Sequence, residues 1–238
     1  KKVLLPRMDA GCFMADTITP ILLKKYLNEN KNTKVICYVN TSAEVKALTD
    51  IVVTSSNAKK IIDQLPIDEK ILFGPDQNLG SYINSVTGRN MELWNGSCHV
   101  HSRFSVKALL ELKKQFPGVP VLAHPECKQQ ILILSDVIGS TKYLLDYAIS
   151  SPEKRFIVAT ESGILFEMQR ACPDKEFIPV SPEMTDGIGC SCNECEYMRM
   201  NTLENVYACL RDEQPEMIVN KEIADKAISS IHRMLEMS

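Results

Sequence analysis

No apolar run in this 238-residue chain approaches the roughly 20 residues that span a bilayer, and no signal-peptide pattern opens it. Positive charge is not in excess. The 27 Lys and Arg against 30 Asp and Glu give a net charge of −3, which argues against nucleic acid or an anionic membrane as a partner. There is no second C-x-x-C pair and no downstream His pair at zinc spacing, which argues against a two-pair zinc finger-type site. Hairpin-type turns do not join its apolar runs, which leaves parallel rather than antiparallel sheets as the expectation.

What the chain does have is cysteine. Nine is a high and odd count. Without a secretion signal it points to a reduced, cytoplasmic setting and to metal or catalysis rather than disulfides. Most of the nine read as ordinary core residues, such as Cys37 inside the apolar run 35–39 and Cys209 in an expected helix.

Self-comparison is more informative. The stretch from Ile36 through Tyr38-Val39-Asn40 to Asp50 and Thr54-Ser55 returns 86 residues later, from Leu122 through His124-Pro125-Glu126 to Asp136 and Ser140-Thr141. Each copy reads as an apolar strand, a polar tip, a helix, a second strand led by aspartate, and a hydroxyl pair opening another helix. Both copies finish with a basic residue, an apolar strand and a polar turn, at 70–76 and 155–161. The opening residues 2–11 repeat that tail without a preceding body, so the expectation is that a first copy is missing from this sequence. The organisation is then 1–12 as the tail of a first unit, 13–97 as the second, 98–189 as the third, and 190–238 as a loop plus terminal helices. Function in such sheets gathers at strand carboxyl ends, which singles out Tyr38, Asn40, His124 and Glu126. The hydroxyls of Ser55, Ser140 and Thr141 fall at helix starts, suited either to capping or to holding an anion.

Each tail is followed by a cysteine: Cys12, Cys98, and, beyond the Pro-rich stretch 173–182, the run Cys190-x-Cys192-x-x-Cys195. One thiolate per repeat about a pseudo-threefold axis makes a three-cysteine site, able to hold a cubane cluster with one open, Lewis-acidic iron. The competing readings are a zinc site built from the 190–195 run with His99 and His101, a redox dithiol at Cys192 and Cys195, and purely structural cysteines.

At this point the chain resembles a known family. Ala10-Gly11-Cys12 with Ala15-Asp16, Tyr38-Val39-Asn40, Pro75-Asp76 with Asn78-Leu79-Gly80, Trp94-x-Gly96 with Cys98-x-Val100-His101, His124-Pro125-Glu126, Gly139-Ser140-Thr141, Ala159-Thr160-Glu161 and Cys195-x-x-Met198 run in order over nearly the whole length. They are similar to the quinolinate synthases, the A protein of bacterial de novo NAD synthesis. The resemblance implies three homologous three-layer α/β/α units around a pseudo-threefold axis, the first largely missing here. It implies a [4Fe–4S] cluster on Cys12, Cys98 and Cys195, with Cys127, Cys190 and Cys192 as extras. It further implies condensation of iminoaspartate with dihydroxyacetone phosphate, the imine coming from an L-aspartate oxidase or dehydrogenase. Glu126, His124 and Tyr38 become the catalytic candidates, and Tyr38, Asn40, Ser55, His124, Glu126, Ser140 and Thr141 the substrate contacts. Arg7 and Phe13 depart from the family pattern, and a chain lacking the first unit's His, Tyr and Ser residues is expected to be inactive alone. Outside the enzyme class, a non-catalytic metal-binding or redox-sensing protein using Cys190, Cys192 and Cys195 is the alternative, and another three-unit cluster enzyme, of the reductive dehydroxylase kind, is a further one. The stripe Ala224, Ala227, Ile228, Ile231, Met234 and Leu235 predicts a terminal helix packed on the first unit.

Overall fold

The computed structural model describes residues 1–183 and 193–238; Cys190 and Cys192 lie outside them. Among the described residues, eight strands form two four-stranded sheets: β1 (Lys34–Tyr38), β2 (Ile51–Val53), β3 (Ile71–Gly74) and β4 (Glu92–Leu93) in one, β5 (Val121–Ala123), β6 (Val137–Ile138), β7 (Arg155–Ala159) and β8 (Glu176–Pro179) in the other. The orders are β2-β1-β3-β4 and β6-β5-β7-β8. Both are the same order shifted by one repeat, and every strand pair is parallel. The α/β expectation and the internal repeat are therefore what the chain folds into.

The strands are short and apolar because both faces of each sheet are covered. Along β5 and β7, Val121, Ala123, Ile157 and Ala159 join one core cluster, while Leu122, Phe156 and Val158 join another. That alternation is the pleat's period of two. In the first sheet Val35, Cys37 and Leu72 pack with Ile18, Leu23 and Val45, and Ile36, Ile71 and Phe73, on the opposite face of the pleat, are equally buried. Cys37 is thus a core residue, as expected.

The aspartate that leads β2 and β6 has one job in both copies. Asp50 Oδ2 accepts the Val35 N–H at 2.8 Å and Asp136 Oδ2 accepts the Val121 N–H at 2.8 Å. In return the Asp50 and Asp136 amides donate to the carbonyls of Val35 and Val121, each at 2.9 Å. Each aspartate thereby clips a residue at the start of the central strand, Val35 in β1 and Val121 in β5, satisfying a backbone donor that the edge strand does not reach.

Distinct from the expected repeat units, the chain divides into two compact units, a first of residues 1–75, 89–96 and 195–238 and a second of residues 76–88 and 97–194. The helix Gln77–Thr87, which follows β3 in sequence, thus belongs with the second sheet, where Tyr82 packs against that sheet's core. Residues 1–6, expected to be a strand, form among the described residues one antiparallel bridge, Leu4 with Glu216, flanked by Leu5 N–H donating to Pro215 O at 3.1 Å and Met217 N–H to Val3 O at 2.9 Å. The terminal helix Lys221–Met237 lies on β2 and on the helix Ala43–Lys46, both in the repeat expected at 13–97. Its buried face centres on Ala227 and Ser230, leaving Ile228 and Leu235 of the expected stripe exposed. Ser230 belongs to that face because its hydroxyl donates back to Ala227 O at 2.8 Å and reaches Lys46 O at 3.2 Å.

Candidate active site and metal ligands

In the second unit the tip of β5 is sealed. His124 and Glu126 are each 4% exposed and His101 is 6% exposed. His101 arrives on a 3₁₀ turn, His101–Arg103, and its ring stacks on that of His124 with centroids 4.5 Å apart and planes at 23°. Glu126 Oε2 stands 3.0 Å from His101 Nδ1 and 3.9 Å from His124 Nδ1. The first distance is that of an ion pair, yet His101 Nδ1 makes no hydrogen bond of proper geometry. His101 Nε2 lies 3.0 Å from Thr160 Oγ1, and His124 Nδ1 accepts the Glu126 N–H at 3.4 Å.

The charges follow from this packing. Burial opposes a charged His101, but contacts with Cys98 and Glu126 and their negative charge outweigh it and push its pKa up to about 10. Burial, then the positive His101 beside it, drive His124 down to about 3. Burial would raise Glu126, yet its contact with His101 and the charges of both imidazoles hold it well below the usual carboxylate range. Two stacked imidazoles and one carboxylate therefore settle as a single ion pair with a neutral ring alongside. Asp76 is fully buried nearby: Oδ1 accepts the Leu79 N–H at 2.8 Å, capping the helix Gln77–Thr87, and Oδ2 accepts the Cys98 N–H at 2.8 Å. Burial and the charge of Glu126 push Asp76 up to about 7.

Cys98 sits half-buried at this cluster, and its thiol, one His101 ring nitrogen and one Glu126 oxygen all lie within 4.8 Å of one another. In the first unit Cys12 and Cys195 each stand at the N-cap of a short helix, Phe13–Asp16 and Glu196–Arg199. Cys12 Sγ receives the Asn40 amide at 3.7 Å. Both thiols also bear on the phenol of Tyr197, whose pKa is raised chiefly by burial and then by Asp16, Glu196, Cys12 and Cys195. The Tyr197 ring packs against Phe13, centroids 4.6 Å apart. Exposure sorts the described cysteines into two sets. Cys12, Cys98 and Cys195 are half-buried, whereas Cys37, Cys127, Cys172 and Cys209 are buried. Among the described cysteines, the three expected ligands are the ones that are not fully buried.

The remaining site candidates fall as follows. Tyr38 ends β1 half-buried, and Asn40 is exposed just beyond it, beside a cavity of about 590 Å³ lined by Gly11, Cys12, Asp16, Thr19, Asn40 and Ser42, among others. Ser140 is the N-cap of the helix Thr141–Ser150, its Oγ accepting the Tyr143 N–H at 3.3 Å, and Thr141 opens that helix, exposed. Ser55 does not open a helix. The cap of the helix Ala58–Asp63 is Asn57, whose Oδ1 accepts the Thr54 N–H at 2.7 Å and the Thr54 hydroxyl at 3.0 Å. Sequence reasoning weighed His101 only as a zinc ligand beside the 190–195 run and did not place it among the catalytic candidates; its signal was the motif Cys98-x-Val100-His101.

Parallel α/β sheets with a buried imidazole–carboxylate cluster and a reachable thiol beyond a strand's carboxyl end define an enzyme-type site. Comparison with known proteins gives the particular family. The model of the quinolinate synthetase A protein family matches residues 1–236. The chain is 48% identical over 238 residues to the quinolinate synthase of Chloroherpeton thalassium and 49% to that of Microcystis aeruginosa, in each case using all of this chain and 73% of the relative. The quinolinate synthase of Synechocystis sp. is 48% identical, with 74% of its length covered. The chain belongs to the quinolinate synthetase A protein family.

Proposed function

We propose that this chain carries the quinolinate synthase reaction of NAD biosynthesis: iminoaspartate and dihydroxyacetone phosphate condense to quinolinate with loss of phosphate and two dehydrations. The observation that carries the reading is the sealed Glu126–His101–His124 cluster with Cys98 at its edge. The donor chemistry fits a three-thiolate [4Fe–4S] cluster, because Cys12, Cys98 and Cys195 are the accessible thiols among the described cysteines. When bound, such a cluster supplies a Lewis-acidic iron with one open coordination position.

The chain's own residues supply proton transfer and orientation. Glu126, held as a carboxylate, takes protons in imine formation and enolisation. The imidazolium of His101 stabilises that carboxylate and returns a proton to departing hydroxyl. His124, kept neutral, donates a hydrogen bond through Nε2 without adding charge. Tyr38 and Asn40 orient and polarise the intermediate's oxygen atoms. Ser140 and Thr141 stand at the first turn of the helix Thr141–Ser150, where free N–H groups and the helix dipole favour a carboxylate or phosphate; Ser55 contributes its hydroxyl from the turn after β2. An L-aspartate oxidase or dehydrogenase of the cytoplasm would provide the unstable imine.

Anaerobic reconstitution tests the reading. About four irons and a matching amount of sulfide per chain are expected, falling to background in Cys12→Ser, Cys98→Ser and Cys195→Ser alike. Iron that survives all three substitutions overturns it. Quinolinate release from the two substrates, followed by chromatography, tests the reaction itself.

A further inference from the structure

Cys98, His101 and Glu126 form a second donor set that needs neither Cys12 nor Cys195. Their donor atoms all lie within 4.8 Å of one another, with His101 Nδ1 and Glu126 Oε2 already 3.0 Å apart. Around a zinc ion with bonds of about 2.0–2.3 Å, tetrahedral ligand atoms stand about 3.3–3.7 Å apart. The three groups therefore close on such an ion with movements of about an ångström or less.

Three features favour an ion over a merely packed polar cluster. First, His101 Nδ1 is buried without a properly aligned hydrogen bond, while Nε2 is engaged by Thr160 Oγ1 at 3.0 Å. A histidine ligand is oriented in this way, fixed through one nitrogen and offering the other. Second, the set offers a carboxylate, a thiol able to bind as thiolate and an imidazole in a pocket where Glu126 is 4% exposed, and a divalent cation bound there is charge-matched by the two anionic ligands. Third, Cys98 is only half-buried, which leaves a route in and a fourth position for water, as in three-ligand zinc sites.

We propose that the cluster-free chain binds one zinc-class divalent cation through Cys98 Sγ, His101 Nδ1 and Glu126 Oε2, and that this ion and the iron–sulfur cluster exclude each other because both need Cys98. The binding claim stands on the geometry of the second unit alone; the exclusion rests on the proposed cluster reading.

Cobalt(II), the spectroscopic stand-in for zinc, tests it on the cluster-free chain. One cobalt per chain is expected, with a thiolate-to-cobalt charge-transfer band and tetrahedral d–d bands that stoichiometric zinc erases. Cys12→Ser and Cys195→Ser should leave the bands unchanged. Cys98→Ser should abolish the charge-transfer band. Thr160→Val, which removes only the partner of the second ring nitrogen, should weaken binding by roughly 10- to 100-fold with the bands retained. His101→Ala should weaken it beyond that range. A charge-transfer band that survives Cys98→Ser, or disappears in Cys195→Ser, places the ion elsewhere and overturns the proposal; circular dichroism of each variant separates lost binding from lost folding. Zinc-loaded chain should then take up iron and sulfide in inverse proportion to the zinc it holds. Cobalt bands that require Cys98 together with iron indifferent to all three cysteines would leave the ion site standing and sink the cluster reading. Cysteine-dependent iron without any cobalt band does the reverse.

Discussion

Tyr38-Val39-Asn40 and His124-Pro125-Glu126 leave equivalent strands of the repeat, yet the first tip is open and the second is sealed. Beneath them the scaffold is the same: equal strand order, all-parallel pairing, and an aspartate clip of 2.8 Å on Val35 of β1 and Val121 of β5. The tips diverge through what arrives above them. Over β5 the turn His101–Arg103 lays an imidazole on His124, and burial then fixes one ion pair and one neutral ring. Beyond β1, Asn40 stays exposed and reaches the thiol of Cys12. Duplicated architecture thus delivers matched positions, and desolvation decides which of them carry acid–base chemistry. The open tip is suited to orientation by neutral hydrogen bonds, the sealed one to moving protons.

That contrast breaks most readily at Glu126. Glu126→Gln keeps the volume and removes the base, so quinolinate formation should fall by roughly 10²–10⁴-fold in kcat. Asn40→Ala at the open tip should lose less than that, with part of the loss in KM. Anaerobic steady-state kinetics on both variants check the order; a loss at Asn40 equal to that at Glu126 would erase the distinction between the tips.

The shared scaffold gives the next largest effect, now on stability. Asp50→Ala and Asp136→Ala each leave a buried backbone N–H, of Val35 and Val121, without its acceptor. Each should cost about 1–3 kcal/mol, read as a fall in denaturation midpoint. The two losses should agree within about 1 kcal/mol; a larger gap would mean that the clips are equivalent in geometry alone.

Much of this was written in the residues. Apolar strands alternating with helical stretches, none joined by hairpin-type turns, announce parallel sheets, and the 86-residue offset aligns Asp50 with Asp136 and Asn40 with Glu126. What escaped has physical causes. His101 rides a three-residue 3₁₀ turn, too short to leave a periodic signal, so its place over His124 comes from long-range packing alone. Thr54, Ser55, Ser56 and Asn57 are four successive residues able to cap a helix, and the backbone's choice of Asn57 cannot be read from their identities. An apolar stripe on the terminal helix shows that one face is covered without naming its cover. Small Ala227 and hydroxyl-bearing Ser230 are the buried positions of this helix, Ser230 bonding to Lys46 O, while two larger apolar residues, Ile228 and Leu235, stay outside.

The smallest effect separates two hydroxyls that the repeat matches and the structure does not. Ser140 caps the helix Thr141–Ser150, so Ser140→Ala should cost about 1 kcal/mol, lowering the melting temperature by about 2–4 °C. Ser55 caps nothing and lies in the turn ahead of Asn57, so Ser55→Ala should change stability by less than about 0.5 kcal/mol. If both hydroxyls hold substrate anions, KM rises in both variants while the melt moves only for Ser140. A Ser55→Ala protein with unchanged melt and raised KM identifies a ligand contact free of any structural part, the cleanest form of the matched pair. Unchanged KM at Ser55 would remove that residue from the site and leave anion binding to the one repeat copy whose hydroxyl pair opens a helix.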